Sequence, residues 1–214
     1  MRLDKKYMHL YAVTDRAWTE NKTLYEQLKE ALESGVTCVQ LREKNLDEDS
    51  FIEEAKKISQ LCKQYNIPFI VNDNLNVAIA SNADGIHIGQ DDMELKDVRR
   101  IVGEDMIIGV SVHTVDEAVS AQRNGADYIG LGAVFETSTK NDVGILTYET
   151  LKSICEAVNI PKVAIGGINS KNILKLKGSG IDGVAVFSAI FGAADIKKAT
   201  KELYNLASEL IEGT

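Results

Sequence analysis

Long apolar runs are missing from this sequence, and no stretch approaches the roughly 20 residues that a membrane-crossing helix needs. A basic surplus is missing too. Lys and Arg number 24 against 32 Asp and Glu, and the net charge of -8 argues against a surface built for a nucleic-acid backbone or an anionic membrane. Cysteine is scarce: Cys38, Cys62 and Cys155 lie in apolar periodic segments without Cys-x-x-Cys spacing, which excludes a zinc knuckle or redox motif and suits buried, reduced thiols. Proline occurs twice, so no proline-rich linker divides the chain. The first residues, Met1-Arg2-Leu3-Asp4-Lys5-Lys6, are charged and lead straight into a strand-like run, without the apolar core of a signal peptide. These absences describe a cytoplasmic chain without a membrane or nucleic-acid partner.

What is present is ordinary globular composition, 44% hydrophobic and 26% charged, over 214 residues. Short β-rich runs alternate with longer helical patterns from end to end, as parallel strands joined by crossover helices do. The strand candidates are 7-14, 37-44, 68-73, 84-89, 106-112, 127-134, 162-167 and 183-188. Between them, sets such as Leu24-Leu28-Ala31-Leu32, Phe51-Ala55-Ile58-Leu61 and Ile196-Ala199-Leu203-Leu206-Leu210 are apolar at helical spacing. Eight strand-helix units without a composition break predict a single-domain (β/α)8 TIM barrel over residues 1-214.

Weak repeats mark the strand starts. Gly35-Val36-Thr37, Asn82-Ala83-Asp84, Gly125-Ala126-Asp127 and Gly180-Ile181-Asp182 share a Gly or Asn able to take the left-handed conformation that ends a helix. The two prolines repeat another pattern, Asn66-Ile67-Pro68 and Asn159-Ile160-Pro161, where a missing N–H costs little.

In such a barrel the active site lies at the C-terminal strand ends, so polar residues there carry functional weight. A period of two puts Gln40, Arg42 and Lys44 on one face of the second strand, aimed into the barrel mouth. Two cations there read as a diphosphate clamp, with Arg42 bidentate and Lys44 a point charge; an internal ion pair is the plainer alternative. The third strand ends Val71-Asn72-Asp73-Asn74 and the fourth leads into Gln90-Asp91-Asp92. Turn and helix-cap chemistry explains such residues singly, but beside a cationic clamp Asp73 and Asp92 suggest Mg²⁺ held by two carboxylates and substrate phosphate oxygens. Ser111 and His113 share a face at the end of the fifth strand. Gly130 and Gly132 on the sixth leave room for a ligand or for tight packing, and the 136-144 loop adds hydroxyls and Lys140. Gly166-Gly167 and Phe187-Ser188 end the last two strands, whose following loops bind phosphate in many barrels.

These motifs, in this order, resemble the thiamine phosphate synthases over nearly the whole chain: Val13-Thr14-Asp15, Gln40-Leu41-Arg42-Glu43-Lys44, Val71-Asn72-Asp73, His87-Ile88-Gly89-Gln90-Asp91-Asp92, Gly109-Val110-Ser111, Thr137-Ser138-Thr139-Lys140, Ile165-Gly166-Gly167 and Ser188-Ala189-Ile190. The resemblance implies that Gln40, Arg42, Lys44, Asn72, Ser111 and Lys140 bind a hydroxymethylpyrimidine diphosphate, with Arg42, Lys44, Ser111 and Lys140 catalytic and Asp73 and Asp92 holding Mg²⁺. It further implies that Thr137, Thr139, Gly167, Phe187 and Ser188 bind a thiazole phosphate, and that the partners are these small-molecule substrates. Asn74, Glu136 and Phe187 depart from the commoner family pattern. Two rivals are a thiazole tautomerase of the related branch, for which His113 would move protons, and a non-catalytic sensor of a phosphorylated metabolite; the tautomerase has no need of the diphosphate and metal residues found here.

Overall fold

The structure is a computed structural model that describes residues 3–14, 16–19, 22–137 and 144–212. All eight expected strands form: β1 (Leu10–Val13), β2 (Cys38–Leu41), β3 (Phe69–Asn72), β4 (Gly85–Ile88), β5 (Ile107–Val112), β6 (Tyr128–Leu131), β7 (Lys162–Ile165) and β8 (Gly183–Val186). Every pairing is parallel, and β8 closes on β1 to complete the barrel. Most strands end earlier than their apolar runs suggest. The chain leaves the ladder at the rim, so residues 42–44, 73 and 187 lie in loops and Ser188 opens the next helix.

Strand alternation creates two cores. Tyr11, Val13, Cys38, Ile70, Tyr128, Val163 and Ala185 point inward and fill the barrel. Their neighbours, among them Ala12, Leu41, Val71, Ile86 and Leu131, point outward against the helices. The register keeps inward residues beside inward residues, with Tyr11 opposite Cys38, Val13 opposite Gln40 and Gly109 opposite Tyr128.

The outer layer holds α1 (Leu24–Leu32), α2 (Glu48–Gln64), α3 (Leu75–Ala80), α4 (Leu95–Val102), α5 (Val115–Arg123), α6 (Tyr148–Ala157), α7 (Ser188–Phe191) and α8 (Ile196–Ile211). Thr23, Asp47, Asn74, Thr114, Thr147 and Asp195 each accept an orphan N–H at a helix start, a contact worth about 1 kcal/mol apiece. Asn74, one of the departures from the family pattern, is thus the cap of α3. The seventh crossover is where the sequence expectation needs correction. It carries only a 3-10 helix, Ile173–Leu176, because Gly178 and Gly180 follow at once with φ +81° and +88° and end any helix there.

The repeats at the strand starts have a shared structural purpose. Gly35, Asn82, Gly125 and Gly180 all take positive φ, and each delivers the residue two positions on to the strand before it. The side chains of Thr37, Asp84, Asp127 and Asp182 accept the backbone N–H of Leu10, Phe69, Ile108 and Lys162 at 2.8–2.9 Å. Their own N–H groups return to the carbonyls of those same four residues at 2.8–2.9 Å. The clamp therefore joins β1 to β2, β3 to β4, β5 to β6 and β7 to β8 at the barrel's N-terminal end. The three cysteines are free and buried, and burial pushes the Cys62 and Cys155 thiols up to about 12. Among the described residues no helix is long and apolar enough to cross a membrane.

Candidate active site

At the opposite end the barrel opens into a cavity. Gln40, Arg42, Asn72 and Ser111 line one side, and Thr137, Gly167, Phe187 and Ser188 the other. Eight of the residues singled out in the sequence thus meet at one mouth. Thr139 and Lys140 lie outside the described residues, as do Asp15 and Ser138.

The loop after β2 divides its charges. Thr14, fully buried, donates its N–H to the Gln40 carbonyl at 2.9 Å and accepts the Arg42 N–H at 3.0 Å, so the turn out of β2 is held by β1. Arg42 then faces the cavity, and among the described residues no carboxylate pairs with it. Glu43 turns away, where Arg16 binds it at 2.6 Å and also binds Glu54. Lys44 departs from expectation. It does not share the cavity with Gln40 and Arg42, because β2 ends at Leu41 and strand alternation no longer governs position 44. Instead its Nζ lies 2.8 Å from Asp73 Oδ2 in an adjacent groove, with the lysine side chain half-exposed. The ion-pair alternative therefore describes Lys44 and not Arg42.

Asp73 and Asp92 meet on that same rim. Asp73 sits at φ +61° just past β3, and Asp92 Oδ2 accepts the Gly89 N–H at 2.6 Å. Partial burial raises the Asp92 carboxyl above the usual range, and the negative charge of Asp73 raises it further against the pull of the Gly89 N–H and Lys44. Two neighbouring carboxylates, with a lysine on Asp73 and oxygen donors only, suit a hard divalent cation. Among the described residues no cluster of three or more His, Cys, Asp and Glu is present, so any cation here needs oxygens from elsewhere.

Sequence reasoning passed over the polar groups deeper in the cavity wall. Tyr11, Tyr128 and His87 connect Gln40 to Ser111 by hydrogen bonds of 2.8–3.0 Å. For the tyrosines the available signal was strand parity, since Tyr11 and Tyr128 stand two residues from Val13 and Gly130, which line the cavity. His113 also lines the cavity, with its backbone N–H donated to Glu117 Oε2 at 2.6 Å. The space beside Gly130, expected to admit a ligand or tight packing, is filled by the His87 ring: a Cβ there would lie 3.1 Å from Cε1. On the other side, Gly166 and Gly167 take φ +102° and +67°, and a Cβ on Gly167 would lie 2.3 Å from the Glu136 carbonyl oxygen. Asn172 and Asn169 donate to the Gly167 carbonyl at 2.9 and 3.2 Å, fixing this turn beneath the loop after β6.

Fold and site together define a (β/α)8-barrel with a mixed polar and apolar cavity, an arginine without a carboxylate partner among the described residues, and an acidic pair at the C-terminal rim. The family model described as Thiamine monophosphate synthase matches residues 10–190, and the chain belongs to that family. A thiamine-phosphate synthase of Clostridium tetani is 52% identical over 200 residues, covering 94% of this chain and 96% of that protein. One from Pyrococcus abyssi is 43% identical over 207 residues, covering 97% and 98%. The solved structure of a thiamine phosphate pyrophosphorylase from Pyrococcus furiosus superposes with a TM-score of 0.89 at 40% identity, covering 97% of this chain and 98% of that one.

Proposed function

We propose that this enzyme joins 4-amino-2-methyl-5-(diphosphooxymethyl)pyrimidine to a thiazole phosphate, giving thiamine phosphate and diphosphate. The observation that carries the reading is Arg42, a cation without a carboxylate partner among the described residues, facing a cavity it shares with Asn72 and Ser111 in a chain 52% identical to a named synthase. Unpaired cations are rarely kept in such settings unless an anion visits.

In this mechanism the bond between the pyrimidine methylene carbon and the diphosphate oxygen breaks, and the diphosphate leaves with the electron pair. The thiazole nitrogen then donates its lone pair to the methylene cation and forms the new C–N bond. Negative charge grows on the leaving diphosphate, so the catalytic groups are donors fixed before reaction begins. Arg42 and Lys140 bind its oxygens, Ser111 donates a hydroxyl to them, and Gln40 and Asn72 orient the pyrimidine. Asp73 and Asp92 would hold Mg²⁺, which supplies charge neutralisation on the diphosphate when bound. Lys44, paired with Asp73 at 2.8 Å, balances the acidic pair beside the cavity. Thr137, Gly167, Phe187 and Ser188, at the far wall, bind the thiazole phosphate together with Thr139. The net negative charge and buried thiols fit a cytoplasmic enzyme acting on small molecules.

The test mixes both substrates, Mg²⁺ and protein, and follows diphosphate and thiamine phosphate together. Equal release of the two is expected; folded protein that forms neither would overturn the reading.

A further inference from the structure

Five side chains from five strands form one unbroken hydrogen-bonded chain inside the barrel. Gln40 Nε2 on β2 donates to Tyr11 Oη on β1 at 3.0 Å, and Tyr11 Oη lies 2.8 Å from Tyr128 Oη on β6. Tyr128 Oη lies 2.9 Å from His87 Nδ1 on β4, and His87 Nε2 lies 2.9 Å from Ser111 Oγ on β5. Two glycines make the path. Gly109 stands in register between His87 and Tyr128, and a Cβ on it would lie 2.1 Å from Tyr128 Cζ; Gly130 clears the other side of the imidazole.

Burial holds both tyrosine hydroxyls far above their ordinary titration range, so each keeps its one proton. A buried hydroxyl that accepts from one neighbour satisfies its single proton by donating to the next, and a neutral imidazole has one N–H and one bare nitrogen. With His87 neutral and every buried hydroxyl proton donated along the chain, two polarities are self-consistent. When Gln40 Nε2 donates to Tyr11, Tyr11 donates to Tyr128, Tyr128 donates to His87 Nδ1, and His87 Nε2–H donates to Ser111, whose own O–H is released toward the cavity. The amide then offers Oε1 as the cavity's acceptor. Reversal turns the amide over and makes every link run the other way, with an amide N–H at one cavity end and a hydroxyl lone pair at the other.

Resting on the function proposed above, we infer that Tyr11, Tyr128 and His87 are positioning residues that couple the two ends of the pyrimidine diphosphate. They hold Gln40 as acceptor for the substrate's amino group and Ser111 as donor to the departing diphosphate. Diphosphate oxygens only accept and the amino group donates, so one polarity satisfies both ends, whereas the other opposes both. A substrate with the amino group replaced by a carbonyl oxygen is mismatched at Gln40. Because the links are shared, correcting that end spoils the Ser111 end.

The experiment compares kcat/KM for the 4-amino pyrimidine diphosphate and its 4-oxo analogue in the full-length enzyme and in Tyr128→Phe, which keeps the ring on Gly109 and removes the middle hydroxyl. Wild type should prefer the amino compound by at least about 10³-fold, as sites built around a hydrogen-bonded group do. Tyr128→Phe should shrink that preference at least about tenfold, with Tyr11→Phe doing the same one link away. An unchanged preference in a folded variant overturns the relay, because a merely structural role would slow both substrates alike. Nitrogen-15 NMR of the wild type gives a readout independent of turnover, with only three histidines to assign. The Nε2–H tautomer of His87 is expected, and an Nδ1–H tautomer overturns the assigned polarity. Wild-type protein without turnover would instead fail the synthase reading, leaving the tautomer to decide the relay.

Discussion

The two ends of the barrel use the same residue types in opposite ways. At the N-terminal end Asp84, Asp127 and Asp182 each accept a backbone N–H of the preceding strand, and two of them also balance buried or half-buried cations. Arg99 donates to Asp127 at 2.6 Å and to the carbonyls of Gly103, Met106 and Gly125, while Asp182 meets Lys5 and the buried Lys162. At the C-terminal end Arg42 has no carboxylate partner among the described residues, and the Asp73 carboxylate stands against that of Asp92. Polar groups at one end are consumed by the fold; at the other they are held ready for a ligand. A carboxylate's sequence context matters less than which end of its strand it occupies.

The sharpest way to break this contrast is Arg42→Ala. Loss of the cation that faces the cavity should lower kcat/KM by about 10³-fold, with the melting temperature nearly unchanged. Turnover and calorimetry on the same preparation check it, and an unfolded variant would assign Arg42 to the fold instead. Asp92→Asn should cost on the order of 10²-fold in Mg²⁺-dependent turnover. Its effect on stability should have the opposite sign. The folded state raises the Asp92 pKa, so its ionised form destabilises the fold above the ordinary carboxylate range, and the neutral amide, which can still accept the Gly89 N–H, relieves that cost. A higher melting temperature near neutral pH is the expected result, and a lower one would make Asp92 structural.

Asp127→Ala tests the other end. Removing it strands Arg99, whose side chain is 13% exposed, and leaves the Ile108 N–H without its acceptor. A loss of about 3 kcal/mol is expected, with kcat per folded molecule retained. Denaturant unfolding alongside active-site-normalised turnover separates the two. The smallest effect concerns His9, which bridges β1 to α8 through the Tyr204 carbonyl and Ser208. Burial lowers its pKa below the ordinary 6.5. The unfolded chain therefore takes up the proton first, and stability falls as pH drops below about 6.5. His9→Gln should flatten that part of the stability profile between pH 7 and 5, as measured by melting temperature.

Much of this was readable along the chain. Alternation of β-rich runs with helical spacing located all eight strands, and the repeats at Thr37, Asp84, Asp127 and Asp182 located the strand starts. Strand parity carried Gln40, Arg42 and Ser111 to one cavity, where Asn72, marked by the family resemblance, joins them. It failed at Lys44 because the strand had already ended, and beyond a strand end the side-chain direction is set by what the loop finds to bind. The expectation of a helix after every strand failed at the seventh crossover, where the helical turn over Ile173–Leu176 is cut short at Gly178.

Periodicity and spacing are local properties, so the sequence by itself determined the barrel, its two layers and the end at which the chemistry collects. Contacts between distant strands are not local. That Tyr11 meets Tyr128 across 117 positions, and that His87 lies beyond Gly109 to receive it, follows only from closing the sheet, because barrel curvature brings inward side chains together whose strands never pair.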